Sequence, residues 1–348
     1  VIDGVRAAVF DGQDLLVVDD LSVPEPGPGE VTVRVLASGI CHSDLNVVDG
    51  TVPVPPPVVL GHEAAGVVDR LGEGVTGWSV GDAVLVGGLT ACGSCRNCRN
   101  GHPAACPDAF GRGRTPYTWR GRPTRSYANV SSFSTMVTVG AGQLTSTEGI
   151  APTSACLIGC AVSTGYSVAR NAAGIQRGDR VAVLGIGGIG ANVVQTARLL
   201  GATSVTAVDV DPGKERAARH FGATDFALAG ATGGTFDVVV ECSGAPSAID
   251  AAIALTGAGG TTALVGLPPV GHRASFDVGT LLRGRRIVGS LAGDIVPERD
   301  TPAIVAHVRA GELDVDGLVG GVWPLDQIHD AVAATRAGEV VRAVLDMA

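Results

Sequence analysis

Four cysteines stand close together, as Cys92-x2-Cys95-x2-Cys98-x7-Cys106. Thiolates at this spacing can wrap one tetrahedral cation inside a single loop. Disulfides between cysteines three apart are awkward, because the bond needs a Cα separation and Cβ directions that this spacing disfavours. An iron–sulfur cluster is the rival, since Cys106-Pro107 echoes the end of a ferredoxin run. The final spacing here is seven residues rather than about three, however, so the lobe reads as a structural zinc site.

The run Gly185-Ile186-Gly187-Gly188-Ile189-Gly190 follows an apolar strand over 181–184 and opens a helix expected over 191–200. Glycines at these places permit a tight turn, let the backbone approach a pyrophosphate and allow close helix–strand packing, while helix N-terminal amides receive the negative charge. A glycine-rich chain can produce such a run by chance. Asp209 raises its weight: it ends the next strand nineteen residues after Gly190, where an acid holds the adenosine ribose hydroxyls. An acid there repels a 2'-phosphate, so NAD is expected over NADP, with Asp211 adding to the repulsion. Lys214, the sole lysine, either flanks that ribose or is an ordinary exposed helix residue.

Cys41, His62 and Cys160 are separately unremarkable, since a buried thiol or a satisfied core histidine is the usual fate of such residues. Beside a nucleotide fold they suggest an open site, with two cysteines and a histidine on zinc and one position left for water or substrate.

The elements that must position these groups fall into two regions. Up to about residue 150 the chain reads as β-rich, with alternation over 31–35 and a turn cluster over 24–29. From about 180, strands over 181–184, 204–208, 237–240 and 261–265 alternate with helices such as 247–255, which predicts a parallel sheet with crossover helices. Amphipathic helices over 301–310 and 325–337 and a final strand over 340–345 follow. At 348 residues two domains are expected. Charged residues are only 17% of the chain, glycine numbers 51, and the net charge of -9 argues against nucleic acid or an anionic membrane, both of which need a basic face. No apolar run is long enough to span a bilayer, and the opening Val1-Ile2-Asp3-Gly4 shows no signal-peptide pattern, so a cytoplasmic protein acting on a small molecule is expected.

Taken in order, these motifs resemble the zinc-dependent medium-chain alcohol dehydrogenases. The likeness covers essentially the whole chain: Cys41-His42-Ser43-Asp44, Gly61-His62-Glu63-Ala64-Ala65-Gly66, the cysteine lobe, Thr118-Trp119-Arg120-Gly121-Arg122-Pro123, Leu157-Ile158-Gly159-Cys160-Ala161-Val162-Ser163-Thr164-Gly165-Tyr166, the glycine loop, and Gly338-Glu339-Val340-Val341-Arg342. It implies an α/β architecture: a GroES-like β-rich catalytic domain (1–160 and 293–348, structural lobe about 92–106), a Rossmann NAD-binding domain with a doubly wound parallel sheet (161–292), and an active site in the cleft between them.

The resemblance further implies two zinc ions per chain. One is catalytic, on Cys41, His62 and Cys160 with Glu63 close by; the other is structural, on Cys92, Cys95, Cys98 and Cys106. Asp44 would accept from the zinc-bound histidine and fix its tautomer. His42 and Arg342 would contact the pyrophosphate, and Thr164 and Ile189 would lie by the nicotinamide. Zinc would act as a Lewis acid on the alcohol oxygen, Ser43 would take the hydroxyl proton, and the NAD ring would receive hydride. Val52, Gly88, Phe133, Leu267 and Leu291 would wall the substrate pocket, and the missing side chain at Gly88 would favour a bulky, allylic or aromatic alcohol.

Two departures stand out. Asn46 occupies the place of a titratable histidine, and the loop between Cys106 and Thr118 looks short. Relatives are dimers or tetramers. The alternatives are a thiol-adduct formaldehyde dehydrogenase, a nicotinoprotein that keeps its NAD, or, outside enzymes, an NAD-responsive zinc-containing binding module.

Overall fold

The computed structural model describes residues 1–111 and 114–348, so part of the loop after Cys106 lies outside the described residues. The chain forms two compact units: Val1–Cys160 with Pro297–Arg309 and Val315–Ala348, and Ala161–Val296 with Ala310–Asp314.

The first unit is built on β-strands. A small closed barrel runs through Ile2–Phe10, Leu15–Val23, Tyr117–Trp119, Arg122–Ser126 and Val58–Val59. Its first hairpin turns because Asp11 Oδ1 accepts from the amides of Gln13 and Asp14, a local bond that pairs Phe10 with Leu15. A second sheet is centred on Glu30–Ile40, which pairs antiparallel with Glu63–Leu71, Met136–Gly140 and Arg342–Asp346. Its inward residues, Val31, Val33, Val35 and Ile40, join Leu60, Val84 and Val86 in one buried core. The register sets Gly39 opposite Glu63 and Ile40 opposite Ala343, so Cys41, Glu63 and Arg342 meet at one end of the sheet although they are up to 301 residues apart in sequence (342 − 41).

In the second unit six parallel strands lie in the order Asp225–Leu228, Ser204–Asp209, Arg180–Leu184, Phe236–Glu241, Thr256–Leu264, Arg286–Gly289. Numbered along the chain this is 3-2-1-4-5-6, the doubly wound order of dinucleotide-binding sheets. Its central strands are apolar on both faces, as parallel strands covered by helices must be.

The helix Gly188–Leu199 begins three residues before the expected start, because the last glycines of the loop already form its first turn. The helix expected over 301–310 is Pro297–Arg309. Its acidic first turn, Glu298 and Asp300, complements the helix dipole. No helix among the described residues is long and apolar enough to cross a membrane.

Candidate functional site

In the first unit, Cys41, His62, Glu63 and Cys160 each present a ligand atom, all within 4.8 Å of one another. Cys41 follows the central strand directly, at the N-cap of the helix His42–Val48, and His62 precedes the strand Glu63–Leu71. Cys160 sits in a π-helical stretch, Ile158–Val162, a form that recurs at functional sites. Two glycines make the assembly possible. A Cβ at Gly39 would lie 2.0 Å from Glu63 Oε2, and one at Gly159 would lie 3.1 Å from the Val86 carbonyl.

Asp44 organises the cluster from behind. It is buried and accepts three hydrogen bonds: from the Cys41 amide at 3.0 Å, the Gly61 amide at 3.0 Å and His62 Nδ1 at 3.1 Å. The last turns Nε2 of His62, rather than Nδ1, toward the cluster. Ser43 Oγ lies 3.4 Å from that Nε2, on the helix His42–Val48.

The groups of the cluster act strongly on one another's charge. A hydrogen bond from Cys160 holds the Cys41 thiol well below its ordinary value despite burial, and Arg342 and His62 add to this. Burial works against charge on His62, yet Asp44 and Cys41 raise it well above the usual range. Burial pushes Glu63 up to about 7, against the pull of Arg342. Arg342 Nη2 stands 3.6 Å from Glu63 Oε1, an ion-pair distance too long for a hydrogen bond, and both Glu63 oxygens lack a hydrogen-bond partner among the described residues. A buried carboxylate without donors, beside two thiols and an imidazole, fits a divalent metal.

Cys92, Cys95, Cys98 and Cys106 likewise converge within 4.8 Å. Cys95 and Cys98 sulfurs are 3.5 Å apart, against about 3.8 Å for two ligands of a tetrahedral ion with Zn–S near 2.3 Å. Amides of Cys92, Cys95, Cys98 and Asp108 point at sulfurs, and the Ser94 and Cys95 amides draw the Cys92 thiol down to about 6. None of the eight cysteines is in a disulfide. The lobe fits a structural zinc.

In the second unit the glycine loop has the shape its residues foretell. Gly185 has φ +89°, and a Cβ at Gly190 would lie 1.9 Å from the Gly185 carbonyl, so helix and turn are in contact. A Cβ at Gly187 would meet nothing within 4 Å, which leaves the open face a pyrophosphate needs, with Gly188 starting the helix. Asp209 Oδ2 accepts from the Ile186 amide at 2.7 Å and Oδ1 from the Asp211 amide at 3.1 Å, which sets the acid at the edge of the loop. Lys214 ends a short 3-10 turn, Pro212–Lys214, and is half-buried. Thr164 is buried beside Gly165, where a Cβ would come 2.7 Å from the Ile189 carbonyl, so these two expected nicotinamide neighbours belong to adjoining helices. These residues fit a dinucleotide.

Some expectations need correction. A Cβ at Gly88 would sit 2.8 Å from the Ala128 carbonyl. Glycine there answers a close backbone approach, so the space of its missing side chain is taken by the Ala128 backbone. Phe133 is 1% exposed and packs on Gly61 in the core. Val52 packs partly buried against the same core, with its amide on the Asn46 carbonyl at 2.9 Å. Leu267 and Leu291 are half exposed in the second unit. Arg342 is buried with Glu63 and donates to the Ile40 carbonyl, whereas His42 is exposed.

Tyr127 carries no motif and was not singled out from sequence. Its hydroxyl donates to the Ser43 carbonyl at 3.1 Å, and its ring meets the His62 imidazole edge-on at 5.7 Å.

A parallel 3-2-1-4-5-6 sheet with a glycine loop, together with two sulfur-rich clusters able to hold a metal, is the arrangement expected of a metal-dependent nucleotide oxidoreductase. Residues 27–148 match the alcohol dehydrogenase GroES-like domain and residues 188–309 the zinc-binding dehydrogenase domain. The chain is similar to alcohol dehydrogenase-like 6 of Arabidopsis thaliana, at 32% identity over 98% of this chain and 95% of that one. It also resembles the crystal structure of benzyl alcohol dehydrogenase from Acinetobacter calcoaceticus, with TM-score 0.92, 29% identity and all of both chains covered. Acetophenone reductase from Geotrichum candidum, solved in complex with NAD, aligns with TM-score 0.84 and 28% identity over 99% of this chain and 98% of that one. The chain belongs to the zinc-dependent medium-chain alcohol dehydrogenase family.

Proposed function

We propose that this protein reversibly oxidises a primary or secondary alcohol to an aldehyde or ketone, with NAD as hydride acceptor and two zinc ions per chain. The observation that carries the reading is the convergence of Cys41, His62, Glu63 and Cys160, with an orphaned buried carboxylate among them. The proposed division of labour gives metal and alcohol to 1–160 and 293–348, and the dinucleotide to 161–292.

Zinc, when bound, supplies Lewis acidity to the alcohol oxygen, and NAD supplies the acceptor for hydride. The chain's own residues do the rest. Asp44 holds His62 so that Nε2 faces the cluster. Ser43 Oγ, at the edge of the cluster, takes the hydroxyl proton and passes it outward, and Tyr127 anchors the Ser43 backbone. Asn46 cannot titrate and only relays or orients. Gly185, Gly187, Gly188 and Gly190 bring amides to the pyrophosphate, with His42 as its side-chain contact, while Arg342 is held inward by Glu63. Asp209 holds the ribose, with Lys214 as its neighbour, and Thr164 and Ile189 seat the nicotinamide.

Substrates of the two solved relatives support an aromatic or otherwise bulky alcohol. Eight cysteines outside disulfides support a reducing, cytoplasmic setting. Exposed Val270, Phe276, Val278 and Leu282 support a homodimer or homotetramer.

Metal analysis tests the proposal. The purified protein should hold two zinc ions per chain and the Cys160→Ala variant one, with activity lost. Iron in the lobe, or two zinc ions retained in the variant, contradicts the assignment.

A further inference from the structure

Glu241 ends the fourth strand of the parallel sheet and is 0% exposed. A fully buried carboxylate is costly unless donors surround it, and burial pushes this one up from its usual range. Its donors come from the next turn. Oε1 accepts from the Ser243 amide at 2.7 Å, from Ser243 Oγ and from the Gly244 amide at 2.9 Å, and Oε2 accepts from the same Gly244 amide at 3.1 Å. These are turn donors that the sheet does not pair, so an apolar residue at 241 would leave the buried Gly244 amide unsatisfied and release the exposed Ser243 from its anchor.

The turn so held is wedged between the ends of the neighbouring strands. On one side it abuts the first glycine of the nucleotide loop: a Cβ at Gly185 would lie 2.9 Å from Ser243 Cβ and 3.0 Å from Ser243 N. On the other side a Cβ at Gly244 would lie 2.3 Å from the Leu267 carbonyl. One at Gly266 would lie 2.1 Å from the Gly244 amide nitrogen and 2.7 Å from Glu241 Oε2. The Glu241 carbonyl accepts from the amides of Val265 and Gly266, and the Cys242 amide donates to the Leu184 carbonyl. The side chain therefore holds its own turn, and the backbone of that turn joins the carboxyl ends of three adjacent strands, where a doubly wound sheet binds its ligand.

We propose that Glu241 is a positioning residue of the dinucleotide site: by clamping the Ser243–Gly244 turn it fixes the backbone against which Gly185 and Ile186 are set for a pyrophosphate. This rests on the NAD reading above and deepens it. The Ile186 amide bonded to Asp209 lies next along the chain, so slack at Ser243 passes to both the phosphate and the ribose contacts. The clamp acts on cofactor affinity and not on the metal, because every proposed zinc ligand lies in the other unit.

The experiment measures the NAD dissociation constant by calorimetry on the purified, zinc-loaded protein and on Glu241→Gln, Glu241→Ala and Ser243→Ala. Melting temperature, zinc content and the split between kcat and KM for NAD are recorded for each. Glu241→Gln, which keeps one acceptor oxygen, should weaken NAD about tenfold, and Glu241→Ala more. Ser243→Ala, which loses only the hydroxyl bond, should weaken it about threefold and covers the case of a Glu241 variant that does not fold. KM for NAD should rise in step while kcat at saturating NAD and zinc content hold. NAD affinity equal to wild type in the folded variants, whatever their melting temperature, overturns the assignment of Glu241 alone. A wild-type protein that binds no NAD overturns the dinucleotide reading itself.

Discussion

Replacing Asp44 by asparagine changes one oxygen to an amide and little else, which makes it a stringent test of how the cysteine–histidine cluster is held. Asp44 Oδ1 serves both the Gly61 amide and His62 Nδ1, and Oδ2 serves the Cys41 amide. Asparagine oriented to keep the first two bonds turns its NH2 on the Cys41 N–H, leaving two buried donors face to face. The lost charge-assisted bond and the unpaired donor together cost about 2–4 kcal/mol. The Cys41 backbone and the His62 ring both relax, so zinc affinity at this site should fall by about 10- to 100-fold, the effect expected when a ligand's partner is removed. Competition with a chromophoric chelator reads this directly: one zinc per chain should leave Asp44→Asn at lower chelator concentration than wild type, while the lobe zinc stays. Unchanged zinc affinity at the first site, in a folded variant, would refute the role given to Asp44.

Asp209→Gly removes the acid beside the glycine loop and should relax the preference for NAD over NADP, measured as the ratio of kcat/KM values; an unchanged ratio means Asp209 does not face the ribose. Ser43→Ala should abolish most alcohol oxidation, while Asn46→His should add an inflection near pH 6.5 to the rate profile; a flat response to the second means the proton leaves elsewhere. In the sheet, the Arg180 amide and side chain depress the Asp237 carboxyl below its ordinary value. A depressed acid stabilises above its unfolded pKa, about 3.9, and this is lost as pH falls. Asp237→Asn should therefore lower the melting temperature near neutrality, and the difference should vanish in acid.

Features carried by local spacing were legible in the sequence. The cysteine lobe and the glycine loop each lie within a short stretch, so residue types and intervals sufficed, and the alternation of strand and helix announced the parallel sheet. Pairing across long separations was not legible. The barrel closes through strands as short as Val58–Val59 and Tyr117–Trp119, whose partners depend on register rather than pattern. Gly88 is ambiguous for a related reason: a glycine that admits a substrate and one that admits the Ala128 backbone look alike until the backbone is traced. Phe133 reads as a pocket wall by resemblance, yet its ring fills the core over Gly61. Tyr127 and Glu241 act through backbone carbonyls and amides, which no residue pattern reveals.

The account as a whole stands on zinc-dependent hydride transfer from an alcohol to NAD. The direct measurement is the formation of reduced nicotinamide from benzyl alcohol and NAD by the zinc-loaded protein, by the same protein after chelation of its exchangeable zinc, and after zinc is restored. The account predicts turnover, its loss, and its return. Turnover that persists after one zinc per chain has been removed, or none with any primary, secondary, allylic or aromatic alcohol in the loaded protein, would contradict it.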